Sequence, residues 1–136
     1  MAEIVYLDSP LESEALFERL CPPVRQWFKD KFPDFTPPQK LAIPAIMDQQ
    51  HLLLCSPTGS GKTLTAFLTV IDQLVRLALE RKLEKKVHAI YISPIKALAN
   101  DIQRNLIGPL NEITEHYLPD RAQEIRVGLR LSLIHI

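Results

Sequence analysis

Apolar residues recur at helical spacing along most of the chain, and three short apolar runs between them suit strands. Leu11, Ala15, Leu16 and Leu20 mark one face of a first helix. Pro22 and Pro23 end it or open the next. Val24, Trp27, Phe28 and Phe32 form the face of that second helix, and at this spacing the aromatics read as a core stripe rather than a binding platform. Thr36 suits the N-cap and Pro37 the first position of a third helix, which runs to about Asp48. Pro44 inside it is expected to kink it or cut it in two. Residues 51–55 read as a short strand, and 64–79, rich in Leu, Ala, Phe and Ile, as a helix. The charged stretch 80–86 reads as a solvated helix end. Residues 87–92 are β-branched and nearly continuously apolar, as in a strand covered on both faces. Ser93 and Pro94 open a further helix with Ile95, Leu98, Ala99, Ile102, Leu106, Leu110 and Ile113 on one side. Gly108-Pro109 should bend or interrupt it. Residues 125–129 are a third strand. Strands separated by helices predict an α/β fold with a parallel sheet.

The bulk properties narrow this picture without redirecting it. The chain has 136 residues, of which 46% are hydrophobic, so it can form a packed core and is one domain or part of a larger one. Formal net charge is +0, so any nucleic-acid-binding face has to be a local patch. Cys21 and Cys55 fit no metal or redox spacing and read as reduced structural thiols. The first residues show no basic region followed by a long apolar run, and no span is long enough to cross a membrane, so the cytoplasm is the expected location.

The chemistry is concentrated in Ser56-Pro57-Thr58-Gly59-Ser60-Gly61-Lys62-Thr63, between the first strand and the long helix. Strand, loop and helix are the context of a P-loop. Successive backbone N–H groups can curl around phosphates there, and the helix N-terminus adds the positive end of its dipole. Lys62 is expected to reach the β- and γ-phosphates and the Thr63 hydroxyl to ligate Mg²⁺. Ser56 stands where the pattern has its first glycine. Upstream, Phe35-Thr36-Pro37-Pro38-Gln39 offers a side-chain amide able to donate to and accept from one adenine edge, which would select ATP. The plainer reading of Gln39 is a polar residue on an exposed helix face. Downstream, Ser93-Pro94-Ile95-Lys96-Ala97-Leu98-Ala99 puts a helix N-terminus and a lysine at the C-terminal edge of the expected sheet, where phosphates of a nucleic-acid strand could be held; the plainer reading of Lys96 is a solvated lysine.

Together these stretches resemble a superfamily 2 helicase of the DEAD/DEAH-box kind. Phe35 to Gln39 is similar to its Q motif, Ser56 to Thr63 to motif I, and Ser93 to Ala99 to motif Ia. The string from Ile92 to Leu106 resembles most the large helicase-related, or Lhr-type, group. The resemblance implies a RecA-like ATP-binding domain, one of two, with ATP between them and single-stranded DNA or RNA across both. By position it implies cofactor contacts from Gln39, Pro57, Thr58, Gly59, Ser60, Gly61, Lys62 and Thr63, and nucleic-acid contacts from Pro94, Lys96 and Ala97. It divides the chain into an N-terminal helical segment (1–36), the N-terminal part of the RecA-like domain (37–130) and a tail (131–136). The Asp-Glu box, the Ser-Ala-Thr motif and the second domain with its arginines have no counterpart in the sequence, so it is expected to bind ATP without the parts that hydrolyse it. A nucleotide-binding module without catalysis is the alternative. A small P-loop kinase is disfavoured by Ser-Pro-x-Lys-Ala-Leu where an acceptor site is expected. The last six residues, Leu131-Ser132-Leu133-Ile134-His135-Ile136, read as an in-frame translation of the transposon-end adapter used in short-read library preparation, and are expected to be non-native.

Overall fold

A long apolar stripe on one helix organises the molecule. The computed structural model describes residues 3–57, 61–94 and 100–128. Its regular elements are α1 (Ser13–Arg19), α2 (Pro22–Lys31), α3 (Pro37–Met47), α4 (Lys62–Leu79), a π-helical turn (Gln103–Ile107) and α5 (Gly108–His116). The α4 stripe buries Leu64, Phe67, Leu68, Ile71 and Val75. It packs against α2, α3 and the π-turn, and α5 closes on α2. One cluster joins Leu16, Val24, Trp27, Phe28, Ile43, Leu68, Ile71 and Ile113, so the N-terminal helices share their core with α4. Burying such side chains supplies about 1.5–3 kcal/mol each. Phe28 and Phe35 stack with centroids 4.3 Å apart, and Phe17 leans on Phe35 at 4.6 Å, which confirms the aromatics as core.

Local chemistry explains where the helices start and stop. Pro22 and Pro37 occupy first helical positions. Pro44 does not cut α3, which is continuous from Pro37 to Met47. Lacking an N–H, Pro44 cannot bond the Lys40 carbonyl four residues back. The extended N-terminal segment fills that gap: Leu11 N–H donates to Lys40 O at 3.1 Å. Two helix ends carry no glycine to announce them. After α3, Gln49 (φ 63°) adopts the left-handed conformation, with Gln49 N–H on Ile46 O and Gln50 N–H on Ala45 O. After α4, Arg81 (φ 57°) does the same, with Arg81 N–H on Ala78 O and Lys82 N–H on Leu77 O. Both are Schellman ends built on non-glycine residues.

The expected parallel sheet is not formed among the described residues. Residues 51–57, 87–94 and 123–128 carry neither helix nor strand ladder. The physical reason is visible in their surroundings. A strand gains stability only from a hydrogen-bonded neighbour and a covered face. Here Leu53, Ile90 and Ile92 are 87%, 78% and 89% exposed. Residues 131–136, and the last residue of the third expected strand, lie outside the described residues. Large apolar side chains exposed to this degree promote association. The chain is therefore expected to enhance the fluorescence of 8-anilinonaphthalene-1-sulfonate and to self-associate in sedimentation. A non-binding monomer with a cooperative, high-temperature melt would contradict this.

The α1–α2 junction is clasped to α4 by charge. Asp72, 4% exposed in the middle of α4, accepts the Cys21 N–H at the start of α2 through Oδ1 (2.7 Å) and holds Arg76 Nε through Oδ2 (2.8 Å). Arg76 in turn donates to the Arg19 carbonyl. Arg25 donates to the Phe17 and Leu20 carbonyls at the end of α1, at 2.7 and 2.8 Å. Burial first, and then the Asp72 carboxylate, push the Cys21 thiol up to about 12 from 9.0. Cys55 is exposed. Thiol titration at pH 8 should find Cys55 reactive and Cys21 protected until the chain unfolds. The sign of the pH dependence follows. The unfolded thiol ionises first, so the Cys21 contribution is intact below pH 9.0 and declines as pH climbs toward about 12. A urea midpoint unchanged between pH 8 and pH 11 would count against this.

Candidate functional site

The start of α4 is built around Gly61. This residue is the N-cap, in the left-handed conformation at φ 83°, which an L side chain rarely adopts. Space excludes a side chain as well, because a Cβ there would fall 2.7 Å from Gln39 Nε2. Thr65, fully buried, grips the Gly61 carbonyl twice, with its N–H at 2.9 Å and its Oγ1 at 2.7 Å. The bend into the helix is thus fixed from both sides. Lys62 and Thr63 follow as the first two helical residues, both half-buried. The first turn of a helix leaves N–H groups without intrahelical partners, and its dipole favours an anion there.

Gln39 is buried, at 3% exposure, which removes the reading of it as an exposed helix-face residue. Its Oε1 accepts the Thr36 N–H at 2.8 Å, half of a capping box at the start of α3. Its Nε2 faces Gly61. The α3 cap and the α4 cap therefore touch through one side chain. The spacing Thr36-x-x-Gln39 is a capping-box signature and was legible in the sequence.

Lys62 and Thr63 line a cavity of about 470 Å³ whose apolar walls include Leu52, Leu54 and Ala66. Tyr91 closes another side, with its ring 4.6 Å from Phe67 and its hydroxyl 3.3 Å from Asp101 Oδ2. Pro57 is exposed, and Pro94 is exposed at the end of the 87–94 segment. Thr58, Gly59, Ser60, Lys96 and Ala97 lie outside the described residues. The structure thus brings together Gln39, Gly61, Lys62 and Thr63. Thr65 and Tyr91 were not singled out by sequence pattern. Thr65 carries a weak signal, a β-branched hydroxyl four residues after a cap glycine, and Tyr91 carries none beyond its strand-like context. Among the described residues no group of three or more His, Cys, Asp or Glu side chains could hold a metal ion, and no helix is long and apolar enough to cross a membrane.

Comparison with known proteins bears directly on this arrangement. A family model described as DEAD/DEAH box helicase matches residues 36–128, from the α3 cap into the last expected strand. The chain is 46% identical over 134 residues to the ATP-dependent helicase Lhr-Core of Methanocaldococcus jannaschii, covering 97% of this chain and 16% of that protein. It is 50% identical over 119 residues to the ATP-dependent helicase Lhr-Core of Saccharolobus solfataricus, covering 88% of this chain and 13% of that protein. It is 39% identical over 130 residues to the Lhr helicase/uracil glycosylase of Escherichia coli, covering 93% of this chain and 8% of that protein. The chain thus spans only a small part of the length of these relatives. No solved structure matches it.

Proposed function

The chain belongs to the DEAD/DEAH box helicase family, and from that premise we propose that it is the ATP-binding N-terminal part of an ATP-dependent, Lhr-type nucleic-acid helicase. The observation that carries the reading is the start of α4, where Gly61 in its left-handed conformation delivers Lys62 and Thr63 to the edge of the cavity. Membership of this family implies a RecA-like P-loop fold. In our reading residues 37–130 are the N-terminal part of that domain, 1–36 its helical preface and 131–136 a non-native tail. Residues 51–55, 87–92 and 125–129 supply its parallel strands once neighbours pair with them.

In this reading the main-chain N–H groups of Thr58, Gly59, Ser60 and Gly61 donate to the phosphates, and Pro57, which has no N–H, contributes no donor. The Lys62 ammonium balances their charge. Gln39, held between Thr36 and Gly61, ties recognition of the adenine edge to the conformation of the loop. The hydroxyl of Thr63 suits Mg²⁺, a hard cation that takes oxygen ligands and shares its shell with phosphates and water rather than needing a carboxylate cage. Bound there, Mg²⁺ neutralises phosphate charge. Pro94, Lys96 and Ala97 hold the backbone of single-stranded DNA or RNA.

Calorimetric titration tests the nucleotide reading. ATP with Mg²⁺ should bind, and GTP should bind more weakly, because Gln39 cannot satisfy the guanine edge in the same pose. Absence of heat with ATP would overturn the site. Equal affinity for GTP would overturn the role of Gln39.

A further inference from the structure

The α-helix leading into α5 is interrupted just before Gly108-Pro109, one of the two outcomes the sequence suggests. It passes through a π-helical turn over Gln103–Ile107. The turn is written into two residues. Pro109 has no N–H for the Asn105 carbonyl, and its ring would press on that carbonyl in a regular helix. Gly108 donates instead to Gln103 O, five residues back, and a Cβ at Gly108 would meet that same oxygen at 2.9 Å. Leu106 and Ile107 both turn partly into the core, while Gln103 and Arg104 are exposed. The π-turn packs against α4, the helix that carries Lys62 and Thr63.

Arg19, Arg76 and Arg126 hold carboxylates, and Arg25 and Arg81 hold main-chain carbonyls. Among the described residues the Arg104 and Arg121 guanidinium groups do neither, and of the two only Arg104 lies on the π-turn. The turn thus exposes a guanidinium that has no partner among the described residues, eight positions after Lys96. Single-turn π-bulges inside helices are rare and frequent at functional sites. An unpaired guanidinium matches the planar oxygens of a phosphate.

We propose that the π-turn is a phosphate-contacting element, in which Arg104 holds a backbone phosphate of the single strand beyond the one held near Lys96. This rests on the nucleic-acid reading above. Phosphate contact has a specific signature, since each contact to a single strand adds about 0.7 to the slope of log affinity against log salt. Fluorescence anisotropy of a labelled oligothymidylate with the full chain, over a range of salt, reads that slope. Arg104→Gln should weaken binding about five-fold at low salt and lower the slope by about 0.7. Arg104→Lys should keep the slope. Pro109→Ala restores the missing donor and removes the need for the turn. It should lose the same slope with the guanidinium still present, while circular dichroism shows the helix retained. If Lys96→Ala lowers the slope and Arg104→Gln does not, the Arg104 contact is overturned and the nucleic-acid reading stands. A Pro109→Ala chain with the wild-type slope overturns the part played by the turn. A wild-type chain that binds no oligothymidylate overturns both the inference and the reading beneath it.

Discussion

Replacing Lys62 with alanine should weaken ATP binding about 30- to 150-fold and leave the melting curve close to that of the wild type. The first residue of α4 places this side chain at the edge of the cavity, half-buried. Among the described residues Lys62 has no carboxylate partner, which in the proposed reading leaves its ammonium available to phosphate. A charge-assisted hydrogen bond to phosphate contributes about 2–3 kcal/mol, and each 1.4 kcal/mol is about tenfold in affinity. A helix-terminal lysine without a structural partner contributes within about 0.5 kcal/mol to stability. Calorimetric titration with ATP, paired with a thermal melt, separates the two effects. An unchanged affinity, with the wild type shown to bind, would remove Lys62 from the site. A large fall in melting temperature would show that it serves the fold instead.

How much of this was legible in the sequence depends on the range of the interaction involved. Thr36-Pro37 and Pro22 announce their helices because capping is decided within one turn. The α4 stripe is legible because burial repeats with the helical period. The fate of Pro44 is not, because the partner of the carbonyl it abandons is Leu11, from another segment. Gly108-Pro109 signals a break, yet that the break takes the form of a π-turn, with Leu106 and Ile107 packed against the core, appears only in three dimensions. The ends of α3 and α4 fall where the sequence pattern stops, at Met47 and Leu79, although Gln49 and Arg81 take a conformation that glycine usually marks. The strand signals in 51–55 and 87–92 describe side chains fit to be covered. Strand formation needs neighbours, and no periodicity within a segment supplies them. At the site, Gly61, Lys62 and Thr63 follow from the motif itself. The contact of Gln39 with Gly61 joins two distant caps and appears only in three dimensions.

Asp72 is the residue that periodicity hides most completely, and it leads to the second large effect. Within the apolar α4 stripe it reads as the one charged interruption, yet it is 4% exposed and both its oxygens accept hydrogen bonds. Its two oxygens accept from the buried Cys21 N–H at the start of α2 and from the Arg76 guanidinium. Asp72→Ala should leave that N–H buried without an acceptor and loosen Arg76 from the Arg19 carbonyl. Removing one partner of a buried, hydrogen-bonded charge destabilises by about 3–5 kcal/mol. Arg76 is 45% exposed, so solvent screens part of that, and about 3 kcal/mol is the expected loss. Against the 5–15 kcal/mol typical of a domain, this is enough to lower the melting temperature by roughly 10 °C. Asp72→Asn separates the two parts of the effect. Its amide oxygen can still accept from Cys21 while the charge facing Arg76 is gone, so it should fall between wild type and Asp72→Ala. Urea denaturation of the three chains decides the matter, and equal midpoints for wild type and Asp72→Ala would show that the clasp adds nothing. Because Asp72 lies along α4 away from its N-terminus, ATP affinity measured in cold buffer, where each chain is still folded, should stay near the wild-type value. Loss of stability with affinity retained identifies the clasp as what holds the N-terminal helices to the P-loop helix, and keeps its role distinct from that of Lys62.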